Sequence, residues 1–463
     1  MLFPTVAFAA FFAPVFALSW LLMPHPRAWK PFIVLASYAF YAAADPRFCA
    51  LLAAVTLGNQ AAAKLIHRTA DERRRTAIAA AAIVLDLGLL ATFKYYGFFV
   101  TSLISLLARF SLDAPLPLLS IALPVGISFF TFQAISYTVD VKRRIIAPYS
   151  TFDVAIYLSF FPHLIAGPIV RGREFLPQLA TPRSRKDVAL GSAVWLLATG
   201  LVMKVVIADY LARKVSDPVF AVPGAYGAPD AWLAMYAYAS QIFCDFAGYT
   251  NMAIGLALLL GFKFPQNFDR PYRATSFQEF WRRWHMTLSR FLRDFIYIPL
   301  GGSRRGEPRT SVNLMVTMLL GGLWHGAAWT FVIWGGFHGA AQVVERRLRG
   351  RFWTPAWLRW LIVFHLICLA WVLFRATDIG TAWEFYTRLV TPGPATLYTT
   401  VAVAFVVLVI GLQLVPERLP DRLRIRFEDL APSALGATLL VTVLVVAATV
   451  PTGGVPPFIY FRF

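Results

Sequence analysis

The residues of this chain best suited to chemistry gather between Phe280 and Gly339. There FWRRWHMTLSRFLRD leads through IYIPLGG into MLLGGLWHGAAWTFVIWGGFHG, and the stretch holds three of the seven histidines. His325 lies between Trp324 and Gly326 in a run apolar enough for a bilayer. An ionisable group at that depth costs at least a few kcal/mol when charged, so it calls for a functional account. Imidazole, with an unperturbed pKa of about 6.5, is the side chain best suited to take a proton from a hydroxyl at neutral pH. The competing account is a histidine bonded between helices. His338, in FHG, reads as packing or as a support for the site. His285 falls on the apolar side of FWRRWH, and its segment alone suggests a hydrogen-bonded interior histidine.

Taken as one helix, Glu279 to Asp294 puts Trp281, Trp284, His285, Leu288, Phe291, Leu292 and Phe295 on one side, with Arg282, Arg283, Arg290 and Arg293 away from its centre. The predicted helix is interfacial. Its arginines either meet lipid phosphates or, with Arg304 and Arg305, receive a phosphate-bearing donor, since guanidinium grips phosphate in bidentate fashion. Asp245 heads a second polar island with Tyr249, Thr250 and Asn251. It needs a partner among the histidines or arginines, or else it marks a cap or kink near Gly248. The sequence has no HExxH, P-loop, GxSxG or zinc-spaced Cys/His pattern, so no metal is expected. Cys49, Cys244 and Cys368 read as structural thiols. His25, His67, His163 and His365 have no supporting pattern.

The elements that must position these residues are membrane helices. The chain is 58% hydrophobic with a mean hydropathy of +0.62, well above the roughly 45 to 50% apolar content of an average soluble domain. Its formal charge of +19 sits in short loops between apolar runs, as the positive-inside rule describes, rather than in a nucleic-acid-binding domain. Spans need about 20 apolar residues. Candidates are Leu2 to Met23, Pro31 to Ala44, Arg47 to Ile66, Thr76 to Phe99, Ser120 to Val141, Phe152 to Ala166, Val188 to Tyr210, Ala231 to Phe262, Val312 to Val344 as a hairpin, Trp357 to Phe374, Thr399 to Val415 and Ser433 to Val450. Assigning the basic loops to the cytoplasm makes Phe152 to Pro168 and the Val312 to Val344 hairpin re-entrant and puts both termini outside. The expectation is an all-α polytopic membrane protein, a single domain over residues 1–463, with about ten to eleven spans plus re-entrant and interfacial helices. Non-helical backbone at membrane depth must line a cavity or be buried in protein. Thr310 to Trp324 would run about 22 Å at 1.5 Å per residue, carrying His325 to the closed end of its hairpin.

The runs SFFPHLIAGPIVRGREFLPQL, FCDFAGYTNMAIGLALLLGFKFPQNFDRPY, SFQEFWRRWHMTLSRFLRDFIYIPLGG and LLGGLWHGAAWTFVIWGGFHG resemble the bacterial, alginate O-acetyltransferase-like branch of the membrane-bound O-acyltransferase family. The resemblance implies a catalytic role for His325, in LWHG, and a second functional histidine at His285, in RRWH. It also implies a thin core in which funnels from both faces meet as a central tunnel. The donor would be acetyl-CoA or a related acyl thioester, and the site a bacterial inner membrane. The acceptor would be an extracytoplasmic polysaccharide such as alginate, reached through a periplasmic or membrane-anchored SGNH-type acetyltransferase. D-alanyl transfer to an envelope polymer, or transport of the donor, are the alternatives. IPLGG is closer to the polysaccharide-acetylating branch than to the D-alanine-exporting one. His163 departs from the family pattern, which has Gln there. The tail VPPFIYFRF is either helix-end packing or, by its similarity to aromatic-tyrosine endings in such systems, a place where Tyr460 carries the acyl group.

Overall fold

The computed structural model describes all residues except 113–115, 120, 166, 351–353, 417, 451–453, 455, 457 and 460–463. Among the described residues it is all helix and loop. Among those residues, six helices are long and apolar enough to cross a membrane: Arg47–Arg68, Glu72–Ala108, Leu190–Ala221, Ala228–Leu259, Ala356–Arg375 and Pro432–Thr449. A seventh counts if Thr400–Leu414 is joined to Arg418–Glu428 across a 97° bend. The expected first span is a shorter apolar helix, Val6–Leu22. The segment from Phe152 is broken into two short helices. Thr151–Ser159 ends at Phe160, and Phe161–Leu164 is a single further turn; nine residues make only about 14 Å of helix.

The described chain divides into two compact units, Met1–Ala193 with Ala253–Pro265, and Val194–Met252 with Gln266–Phe463. The first is built on Ile127–Lys142, buried along nearly its whole length. Polar side chains fasten it to its neighbours. Thr138 donates to Asn59 Oδ1 at 2.7 Å, Asn59 donates to Asp86 Oδ1 at 2.9 Å, and Tyr137 donates to Gln60 Oε1 at 2.8 Å. In an apolar surround such groups must satisfy one another. His163 belongs to this interior. It is fully buried, with Nε2 2.9 Å from the Tyr157 carbonyl and its ring among Phe160, Phe175 and Phe264.

The second unit contains the hairpin. Its arms, Gly306–His325 and Trp329–Leu348, are joined by Gly326 to Ala328. They can touch because two glycines face backbone: a Cβ on Gly322 would meet the Phe331 carbonyl, and one on Gly335 the Met318 carbonyl. Small residues permit this closeness. The turn falls where the sequence puts it, at His325. The single amphipathic helix expected over Glu279 to Asp294 is not formed. Two seven-residue helices, Phe277–Arg283 and Met286–Leu292, are separated by Trp284 and His285, and the turn from Arg293 to Tyr297 widens to π geometry.

Candidate functional site

The break in that segment builds the site. Trp284 is extended (φ −94°, ψ 130°) and His285 is left-handed (φ 41°, ψ 55°), a conformation that costs a residue with a Cβ on the order of 1 to 3 kcal/mol. Asn267 holds it there. Its carbonyl accepts from the Met286 N–H at 2.9 Å, and its Oδ1 accepts from the Thr287 N–H at 3.1 Å and the Thr287 hydroxyl at 2.9 Å. His285 is thereby fully buried, its ring 4.6 Å from Phe246, 5.6 Å from Trp324 and 6.3 Å from His325. Neither of its ring nitrogens has a hydrogen-bond partner among the described residues. It stands outside the candidate spans, and burial pushes its imidazole pKa down to about 3. At neutral pH it therefore carries one N–H donor and one bare nitrogen.

His325 is the last residue of its helix and is 1% exposed. Trp324, Trp334 and Phe374 surround it, ring centres at 5.0, 5.2 and 5.2 Å. The two histidines thus share one aromatic chamber. His338 lies a step away: its Nδ1 accepts from the Trp281 indole N–H at 3.3 Å, and its ring is 4.6 Å from Trp334. Trp334 stands between His338 and His325 and touches both.

A cavity of about 350 Å³ opens beside this chamber, of a size that holds a small-molecule group. Arg282, Arg290, Arg293, Arg346 and Arg349 line it, with Trp281 and Glu345. Trp281 is 5.7 Å from Trp334, so two rings lead from the cavity to His325. Of the six arginines picked from sequence, Arg282, Arg290 and Arg293 are brought together here. Arg283 is elsewhere, paired with Asp269 at 2.8 Å and Glu279 at 3.0 Å. Arg304 and Arg305 are exposed on the turn before the hairpin and do not line the cavity. Arg346 and Arg349, absent from the sequence reading, come from the end of the returning arm; Arg346 also pairs with Glu307 at 2.7 Å.

Asp245 does not pair with a histidine or an arginine. Its partner is Lys204, whose Nζ is 2.6 Å from Asp245 Oδ1 and 2.7 Å from Asp209 Oδ1. Lys204 lies in a π-helical stretch, Val202–Ala208. The expected kink near Gly248 is also missing, since Ala228–Leu259 is continuous. Gly248 instead lets the backbone around Gly200 come close, where a Cβ would strike the Gly200 carbonyl. Tyr460 lies outside the described residues.

Residues 125–377 match the description "MBOAT, membrane-bound O-acyltransferase family". The chain is 41% identical to the probable alginate O-acetylase AlgI of Azotobacter vinelandii, over 86% of this chain and 79% of that one. It is 37% identical to the peptidoglycan O-acetyltransferase of Helicobacter pylori, over 82% and 78%. The chain belongs to the membrane-bound O-acyltransferase family. A further relative, the teichoic acid D-alanyltransferase of Streptococcus thermophilus, is 29% identical over 51% of this chain and 57% of its own.

This O-acyltransferase is a multi-pass membrane protein, and both of its chamber histidines fall inside the matched region. Sequence reasoning passed over Lys204 and Asp209 in it. The signal was present, two opposite charges inside the apolar run LLATGLVMKVVIADY. At five residues apart they fall on different faces of an α-helix, so that pairing is legible only once the π register is known.

Proposed function

We propose that this acyltransferase moves a small acyl group, acetyl in the favoured reading, from a cytoplasmic thioester donor to a hydroxyl acceptor for O-acetylation of an extracytoplasmic polysaccharide. The arginines of the cavity take the donor's phosphates, and its thioester enters the aromatic chamber. The neutral His285 orients the thioester through its N–H. His325 takes the proton from the acceptor hydroxyl as the oxygen attacks the carbonyl carbon. The carbon–sulfur bond then breaks, and His325 returns the proton to the departing thiolate. The observation that carries this reading is the pair of buried imidazoles 6.3 Å apart, with both nitrogens of His285 lacking a partner among the described residues.

An alginate-like or peptidoglycan-like polymer is the acceptor that the relatives' names favour, reached through an SGNH-type partner at the bacterial inner membrane. D-alanyl transfer is the second reading, favoured by the likeness to a teichoic acid D-alanyltransferase. Membranes carrying the protein, supplied separately with labelled acetyl and D-alanyl thioesters, distinguish them by which label reaches polymer. In the same assay His325→Ala lowers transfer by about 10² to 10⁴ fold, the usual contribution of a general base. Undiminished transfer by the folded variant overturns the assignment. Labelled donor appearing intact on the far side would mark transport instead.

A further inference from the structure

We infer that Asp245 seats the C-terminal segment Phe458–Ile459 in the wall of the histidine chamber, and that this seating positions His285 for acyl transfer. The inference rests on the reading of the chamber as the transfer site. The Ile459 main-chain N–H donates to Asp245 Oδ2 at 2.9 Å. Beside it, Phe458 is fully buried, its ring 4.9 Å from Tyr249 and 5.4 Å from Phe246. Phe246 is the ring packed at 4.6 Å against His285. Phe458 therefore reaches the candidate site through one intervening side chain.

The polar half of the arrangement explains why that seat is specific. Two carboxylates, Asp209 and Asp245, share the single ammonium of Lys204, and all three are buried. The Lys204 ammonium is thus divided between two carboxylates, and a buried charge is tolerated only when hydrogen bonds satisfy it. The Ile459 N–H supplies such a bond. Unseating the tail would leave Asp245 Oδ2 without that donor in an apolar interior, so the charge cluster and the chain end hold each other in place. Asp245 is in this account a positioning residue, acting on His285 through Phe458 and Phe246.

The test isolates the N–H. Proline has none, so Ile459→Pro removes the donor without touching Asp245 or Lys204. With Phe458→Cys as reporter and Cys49, Cys244 and Cys368 setting the background, thiol labelling of the purified full chain reads how often the segment leaves its seat. Ile459→Pro is expected to speed labelling about ten- to a hundredfold, the worth of a hydrogen bond to a charged group. Asp245→Ala should do the same, and Asp245→Asn, whose amide oxygen still accepts, should do so less. Phe458→Ala combined with Ile459→Pro should lower kcat for acyl transfer about tenfold or more with donor KM within about twofold, the pattern of lost positioning rather than lost binding. Unchanged labelling in Ile459→Pro overturns the seating. Faster labelling with unchanged kcat overturns the positioning role. If His285→Ala and His325→Ala also transfer normally, it is the acyl-transfer reading that fails, and the labelling still decides the seat.

Discussion

His163 and His285 are equally buried, and both are ringed by phenylalanine or tryptophan. The first lies in the helical turn Phe161–Leu164 and uses Nε2 on the Tyr157 carbonyl. The second sits at a left-handed break in its helix, and neither nitrogen of its ring makes a hydrogen bond among the described residues. Burial and aromatic company therefore do not distinguish the two. What separates the two regions is a backbone conformation that costs free energy and a ring with both nitrogens unpartnered among the described residues, against one nitrogen in His163. The fold holds His285 in that state through Asn267, and strain of this kind persists only where the surroundings enforce it.

The contrast can be broken by substitution. His285→Ala should lower acyl transfer by about 10² fold or more, within the range of a lost catalytic hydrogen bond. His163→Gln should keep transfer within about threefold, because its interior needs only one bond to a carbonyl. Equal losses, measured as initial rates on the same membranes, would erase the distinction. A smaller effect belongs to the cavity. Arg282→Ala with Arg290→Ala should raise donor KM about tenfold or more, as removal of charge-assisted phosphate contacts does, while Arg304→Ala with Arg305→Ala leaves it within about twofold. Comparable KM changes from both pairs would detach the cavity from donor binding. The smallest effect is on pH. The His285 pKa is depressed to about 3, so the ring stays neutral from about pH 5 to 8 and starts to protonate only as pH falls towards that value. His285→Asn should thus leave the acid limb of the residual pH–rate profile where it was. A displaced limb would show that His285 itself titrates in that range.

Much of this arrangement could be read from residues alone, and the exceptions share a cause. The hairpin was legible because the apolar run from Val312 to Val344 starts and ends beside basic loops. The place of His325 at the closed end of that hairpin was legible too. The break at Trp284–His285 was hidden, since neither glycine nor proline marks it and the apolar positions fit one continuous helix. Its cause is tertiary, the side chain and carbonyl of Asn267. The basic cavity was half legible: Arg282, Arg290 and Arg293 lie on one stretch, but Arg346 and Arg349 arrive from the far end of the hairpin. Asp245 announced its need for a partner, yet the choice of Lys204 depended on a local change of helix type.

That change has a consequence for how the protein is made. Lys204 and Asp209 lie on one candidate span, Leu190–Ala221, whereas Asp245 belongs to the next, Ala228–Leu259, so the first span can be paired internally before the two helices pack. The π register from Val202 to Ala208 brings Asp209 within 2.7 Å of the Lys204 ammonium, and the segment can enter the bilayer already neutralised by its own carboxylate. Asp245, on the next span, then joins a pair that one helix already holds instead of rescuing a stranded cation.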